Sequence, residues 1–183
     1  MAGVLSGGVG TGVFKSLGQN TSGVTVTFGD NVTTVPSNFF YNESTEDAAK
    51  ITRVVLHNNI ESLGESAFKN CTYLTNLTIP NSIDTLTQNV LAGCTSLVSI
   101  VIPDSITSIG ANALSGCSSL LGLTLPDSLE SIGQGAFASC SSLKTVRYNS
   151  TNLSNEDGHT YFTGAGQASG VDLIISASVT SIP

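Results

Sequence analysis

The chain has 183 residues, 40% of them hydrophobic and only 10% charged, enough to bury one core and too apolar for a disordered polymer. Thirteen acidic side chains against six basic ones leave a formal net charge of −7, which excludes the basic footprint that nucleic-acid binding needs. No apolar run approaches the ~18–20 residues that cross a bilayer, and residues 1–12 lack a charged stretch followed by an apolar one, so direct membrane insertion is not expected.

Taken in chain order, residues 1–23 read as a Gly-rich leader and the start of an irregular connector. The glycines between Gly3 and Gly12 have no strand before them and no Lys-Ser/Thr after them, which argues against a phosphate-binding loop. An apolar pattern begins at Val24, Val26, Phe28, Val32 and Val35, and continues through Ile51, Val54, Leu56 and Ile60. Five residues inserted near 42–47 stretch this first period to 28. The period then becomes strict. Cys71, Cys94, Cys117 and Cys140 are each 23 residues apart, and Pro80, Pro103 and Pro126 keep the same spacing. So do the apolar columns Leu74/Leu97/Leu120/Leu143, Leu77/Ile100/Leu123/Val146 and Ile79/Ile102/Leu125/Tyr148.

One unit reads L-x-x-L-x-I-P-x-x-I-x-x-I-G-x-x-A-F-x-x-C-x-x, and a fixed period of this length is the signature of a solenoid. A polar, Gly-containing stretch at 149–170 interrupts the pattern before Val171, Leu173, Ile175, Val179 and Ile182 resume it. About seven coils result. A longer period overlies the short one: Phe14, Gly18 and Gln19 match Phe162, Gly166 and Gln167 at 148 residues, and Val24 through Pro36 match Val171 through Pro183 at 147. The expectation is a piece of a longer array, with any signal or anchor outside it.

The L-x-x-L-x-I segment alternates apolar and polar residues and ends at proline, which predicts a short strand buried on one side. The A-F-x-x-C segment, entered by Gly and free of β-branched runs, predicts a short helical turn. Residues 24–183 are therefore expected to form one α/β repeat domain, with a parallel β-sheet on one face and short helical or turn segments on the other.

The units LTIPNSIDTLTQNVLAGCTSL at 77–97 and IVIPDSITSIGANALSGCSSL at 100–120 resemble the BspA-like class of leucine-rich repeats. That resemblance implies a right-handed leucine-rich-repeat solenoid, secretion or cell-surface display, and a role in adhesion or protein recognition. The implied partners are proteins, such as host extracellular-matrix or plasma proteins, together with neighbouring repeats of the parent chain.

Candidate sites follow from the same frame. Residues 23 apart occupy the same place in successive coils, so Cys71, Cys94, Cys117 and Cys140 form a structural ladder and do not converge on a metal. Their parallel Cβ vectors suit disulfides badly, and they read as small buried hydrophobes. His57, which stands where other coils have proline, and His159, in the polar connector, read as turn residues. Asn155-Glu156-Asp157-Gly158 lacks the alternating oxygen ligands of a calcium loop. No nucleophile elbow or Ser/His/Asp arrangement is present, so neither catalysis nor a cofactor is expected. Outward strand positions form the columns Arg53/Asn76/Ser99/Gly122/Thr145 and Val55/Thr78/Val101/Thr124/Arg147, mostly small. The candidate binding surface comprises Arg53, His57, Asn76, Thr78, Arg147, Tyr148 and Tyr161. The alternative is a structural spacer that projects other domains and binds nothing.

Overall fold

The computed structural model describes residues 23–41, 50–149, 160–167 and 170–176. Expectations about the leader, the 42–47 insertion, most of the polar connector with His159 and the N-E-D-G turn, and the final residues 177–183 lie outside these. The described chain is a stack of parallel coils, each contributing a strand to a broad face and most a two-residue strand to a narrow one. In order the strands are β1 (Val24–Thr27), β2 (Thr34–Val35), β3 (Ile51–Val55), β4 (Ser62–Leu63), β5 (Asn76–Thr78) and β6 (Thr85–Leu86). They continue with β7 (Ser99–Val101), β8 (Ser108–Ile109), β9 (Gly122–Leu125), β10 (Ser131–Ile132), β11 (Thr145–Tyr148) and β12 (Asp172–Ile175).

The broad face carries two hydrogen-bonded groups, β1-β3-β5-β7 and β9-β11-β12, and the narrow face carries β2-β4 and β6-β8-β10. Register follows the repeat: Asn76 pairs with Ser99, Leu77 with Ile100, Thr145 with Gly122 and Arg147 with Thr124. Across the insertion the pairing is Thr25 with Arg53 and Val35 with Leu63, so the inserted residues leave the frame intact. The seven broad-face strands from β1 to β12 bound about six turns, against the about seven coils, some incomplete, counted in sequence.

Inside, the predicted columns are buried: Leu74, Leu97, Leu120 and Leu143 are fully enclosed, as are Ile60, Ile83, Ile106 and Leu129. Aromatic rings continue the stack, with Phe40 on Phe68 at 5.4 Å and Phe137 on Phe162 at 5.0 Å between centroids.

The return segments correct the sequence-based expectation, because the described residues contain no helix. Two residues in each full coil adopt left-handed backbone. One column is Asn38, Ser66, Asn89, Asn112 and Gly135, with φ between 53° and 66°, and the other is Asn70, Gly93, Gly116 and Ser139, with φ between 58° and 75°. Alternate N–H groups then serve different partners. Those of Ala67, Lys69 and Cys71 donate to carbonyls three residues back, at Gly64, Ser66 and Phe68. Those of Ser66, Phe68 and Asn70 donate to Gln88, Val90 and Ala92 of the next coil, at 3.0, 2.9 and 2.8 Å. An α-helix would keep all of these donors inside its own segment. Asn, Gly and Ser tolerate the left-handed conformation that releases every second donor for stacking.

Glycine has a second, steric duty. A Cβ on Gly110 would lie 2.7 Å from the backbone nitrogen of Gln88, and one on Gly133 would collide with that of Ala111. Thr87 occupies the same column, and its hydroxyl donates to the Leu63 carbonyl at 3.0 Å. The narrow sheet divides here, between β4 and β6.

Leu120→Ala should cost about 2–5 kcal/mol through lost burial and the cavity left behind, read by denaturant unfolding. A loss below about 1 kcal/mol would refute its inward position. Gly110→Ala should cost about 1–3 kcal/mol through forced separation of two backbones, and an unchanged unfolding midpoint would show that the coils can part there freely.

Candidate interaction face

The broad face is built by alternation of inward and outward residues, clearest in β5, where Leu77 is buried between Asn76 and Thr78, and in β9 and β11, which bury two residues each. Arg53, Asn76, Thr78 and Arg147 are all exposed on it, as expected. Arg53 is in register with Asn76, and Asn76 with Ser99. Arg147 is in register with Thr124. Arg53 on β3 and Arg147 on β11 are separated by four strand steps, or roughly 19 Å at ~4.8 Å per step.

The remaining candidates lie elsewhere. Tyr148 is only 7% exposed, which corrects its assignment to the surface: with Arg147 outward, the next residue must point inward, in register with Leu125. Its hydroxyl has no hydrogen-bond partner among the described residues. Burial, and then the neighbouring Tyr161, raise its pKa. Tyr161 is half-buried on the return side, where its carbonyl accepts the Phe137 N–H at 2.9 Å. His57 holds a turn: its Nε2 donates to the Gly29 carbonyl at 2.9 Å while its Nδ1 accepts the Asn59 N–H at 3.2 Å. Both ring nitrogens are thus occupied in shaping the chain.

Sequence reasoning missed a third outward column, Thr75/Val98/Leu121/Lys144, one residue ahead of the Arg53 column. Its backbone register is direct, since the N–H groups of Val98, Leu121 and Lys144 donate to Thr75, Val98 and Leu121. Val98 is 43% exposed, Leu121 45% and Val101, from the neighbouring column, 58%. These three exposed apolar side chains lie on two adjacent coils near the middle of the face, Val98 and Leu121 one coil apart in register and Val101 three residues along from Val98. Beneath it the ladder is interrupted between β7 and β9, and Ile100 and Ile102 are only partly buried, unlike their counterparts Leu77, Ile79, Leu123 and Leu125.

The cysteine ladder is structural in detail. Cys94, Cys117 and Cys140 each donate Sγ–H to the carbonyl three positions before the preceding cysteine: Phe68 at 3.2 Å, Leu91 at 3.4 Å and Leu114 at 3.3 Å. Each of these carbonyls also accepts the N–H of its own coil's cysteine. The thiol therefore fills the second lone pair of a buried oxygen. All four cysteines are free and buried. Desolvation pushes the Cys71 thiol from 9.0 up to about 12 and Cys140 up to about 11. Cys94 and Cys117 are raised well above 9.0 by the same burial and then by neighbouring thiols. Among the described residues no group of His, Cys, Asp or Glu has the arrangement to hold a metal ion, and no helix is long and apolar enough to cross a membrane.

The folded state holds the thiols protonated, whereas unfolded chain ionises above 9.0. Their contribution to stability is therefore complete below 9.0 and lost as pH rises toward about 12. The melting temperature should fall across that window, less steeply in Cys71→Ala, and native thiols should resist a thiol-reactive dye at neutral pH until denaturant is added. Immediate labelling of the native chain would contradict their enclosure.

A family model for the BspA type leucine rich repeat region matches residues 46–161 in six copies. Among solved structures, the chain is similar to a leucine-rich-repeat protein of T. pallidum, with TM-score 0.63 and 25% identity over 79% of this chain and 71% of that one. It is also similar to a leucine-rich cell surface protein of Faecalibacterium prausnitzii, with TM-score 0.62 and 31% identity over 68% of this chain, spanning 31% of that one. The pneumococcal vaccine antigen PcpA shares the fold, with TM-score 0.58 and 19% identity over 69% of this chain and 31% of that one. Comparison with curated proteins gave no match.

Proposed function

The chain belongs to the BspA-type leucine-rich-repeat family, and from this membership we propose that it is a non-catalytic module of a cell-surface protein, recognising other macromolecules through its broad sheet face. The observation that carries this reading is the exposed column structure: outward side chains stand in register on the sheet, with apolar groups at Val98, Val101 and Leu121 between Arg53 and Arg147, and again on β12 at Leu173, Ile174 and Ile175. Large apolar groups and arginine are what protein interfaces enrich. The cell-surface description of the Faecalibacterium prausnitzii relative supports the location.

The narrow face favours a second role for the same rod, as a spacer. There outward hydroxyls bond to one another in two places, Ser62 to Thr34 at 3.1 Å and Ser131 to Ser108 at 2.9 Å.

Binding to a panel of extracellular-matrix and plasma proteins, with Arg53→Ala/Arg147→Ala run beside the parent chain, separates the two. Saturable binding weakened about tenfold in the double variant supports recognition through the broad face. No binding across the panel supports the spacer.

A further inference from the structure

Charge on this acidic chain is segregated. Asp30, Asp104 and Asp127 stand exposed in the turns after the broad-face strands, and Glu61, Asp84 and Glu130 stand exposed immediately before narrow-face strands. The broad face carries the opposite sign, with Arg53 near one end and Lys144 and Arg147 near the other; Asp172 on β12 is its exposed carboxylate among the described residues. Between the cations lies the patch of Val98, Val101 and Leu121 around the small residues Ser99 and Gly122. A Cβ on Gly122 would meet only the Thr145 carbonyl, at 3.8 Å, so the space above it is open.

From the seat between β7 and β9, β3 with Arg53 is two to three strand steps away on one side and β11 with Arg147 is one to two steps away on the other, so the flanks lie about two steps out on average. Two steps are about 10 Å, the reach of about three residues of extended chain. The geometry points to a partner segment with a bulky apolar side chain flanked, about three residues away on each side, by carboxylates, lying along the stack across the strands. The apolar side chain seats over Ser99 and Gly122 against Val98, Val101 and Leu121. The carboxylates meet Arg53 and the Lys144/Arg147 pair. Positive potential on one face of a net acidic chain also selects against other acidic surfaces that lack the anchor, because they meet the carboxylate-lined turns first.

This inference rests on the recognition reading and names the chemistry of its partner. The probe is a heptapeptide with aspartate at both ends, leucine in the centre and serine elsewhere, titrated into the isotope-labelled 183-residue chain by NMR. Amide shifts should localise to Val98, Ser99, Val101, Leu121 and Gly122. Replacing the central leucine by serine, or the terminal aspartates by lysines, should each weaken binding about tenfold or more. Leu121→Glu and Lys144→Glu/Arg147→Glu should abolish it, while Asp127→Lys/Glu130→Lys, on the acidic turns, should not weaken it. Thermal melts confirm that each variant is folded, and Val101→Ser serves as a milder test of the same patch.

Equal binding of the lysine-ended peptide, or unchanged binding by folded Leu121→Glu, would overturn the proposal. Sedimentation showing a dimer that Leu121→Glu disrupts would overturn it too, by assigning the patch to a second copy of the chain. If a panel protein binds the parent chain and folded Leu121→Glu equally, the recognition reading stands and this assignment fails.

Discussion

Each coil must lend backbone hydrogen-bond donors to the next, on the return side as well as in the sheets, and the rest of the structure depends on that requirement. A strand does this without special chemistry, because its donors and acceptors already point sideways. A return segment does so only if it avoids becoming a helix. The two left-handed positions per coil achieve this: they turn alternate N–H groups outward, toward Val90, Ala113 and Ala136 in successive coils, while the others close local turns. Asn, Ser and Gly at those positions are thus part of the stacking chemistry and more than loop filler.

The other recurring residues follow from the same constraint. Coils stacked this closely leave no room for a side chain where Gly64, Gly110 and Gly133 approach the backbone of the coil before. They also bury carbonyls with two acceptor sites, one of which the backbone fills and one of which it does not. Cysteine suits that second site because it is small, tolerates an apolar interior and still donates a hydrogen bond. Ser105 and Ser128 do similar work at the turns, donating to Ile83 and Ile106 at 2.7 Å. Among the described residues the Tyr148 hydroxyl is the one buried side-chain oxygen or nitrogen left without a hydrogen-bond partner.

On the outside, the repeat converts small sequence differences into surface features. A valine in one coil and a leucine in the next become neighbours one strand step apart, and an arginine two coils away becomes a flank at fixed distance. The broad face owes its apolar centre to such coincidences of register. The turns owe their negative character to Asp104 and Asp127 directly after the proline column, and to Glu61, Asp84 and Glu130 four residues beyond it.

The period, the inward columns, the outward columns of Arg53 and Arg147 and the packing role of the cysteines were all legible in the sequence, because a solenoid makes residue spacing equal to spatial position. The insertion near 42–47 could be discounted for the same reason: register depends on the columns that follow it. The assignment of Tyr148 to the candidate surface runs against its apolar column with Ile79, Ile102 and Leu125 and its place after the outward Arg147, which both call for the inward position that the strand gives it. Backbone handedness at Ser66 and Asn70, the hydrogen-bond partner of each thiol and the apolar patch of Val98, Val101 and Leu121 emerged only in three dimensions. Sequence pattern records which side chains seek the interior. Tertiary structure decides where a donor points, which second lone pair is left to fill and which exposed residues of different coils meet, because those depend on how one coil is seated on the next.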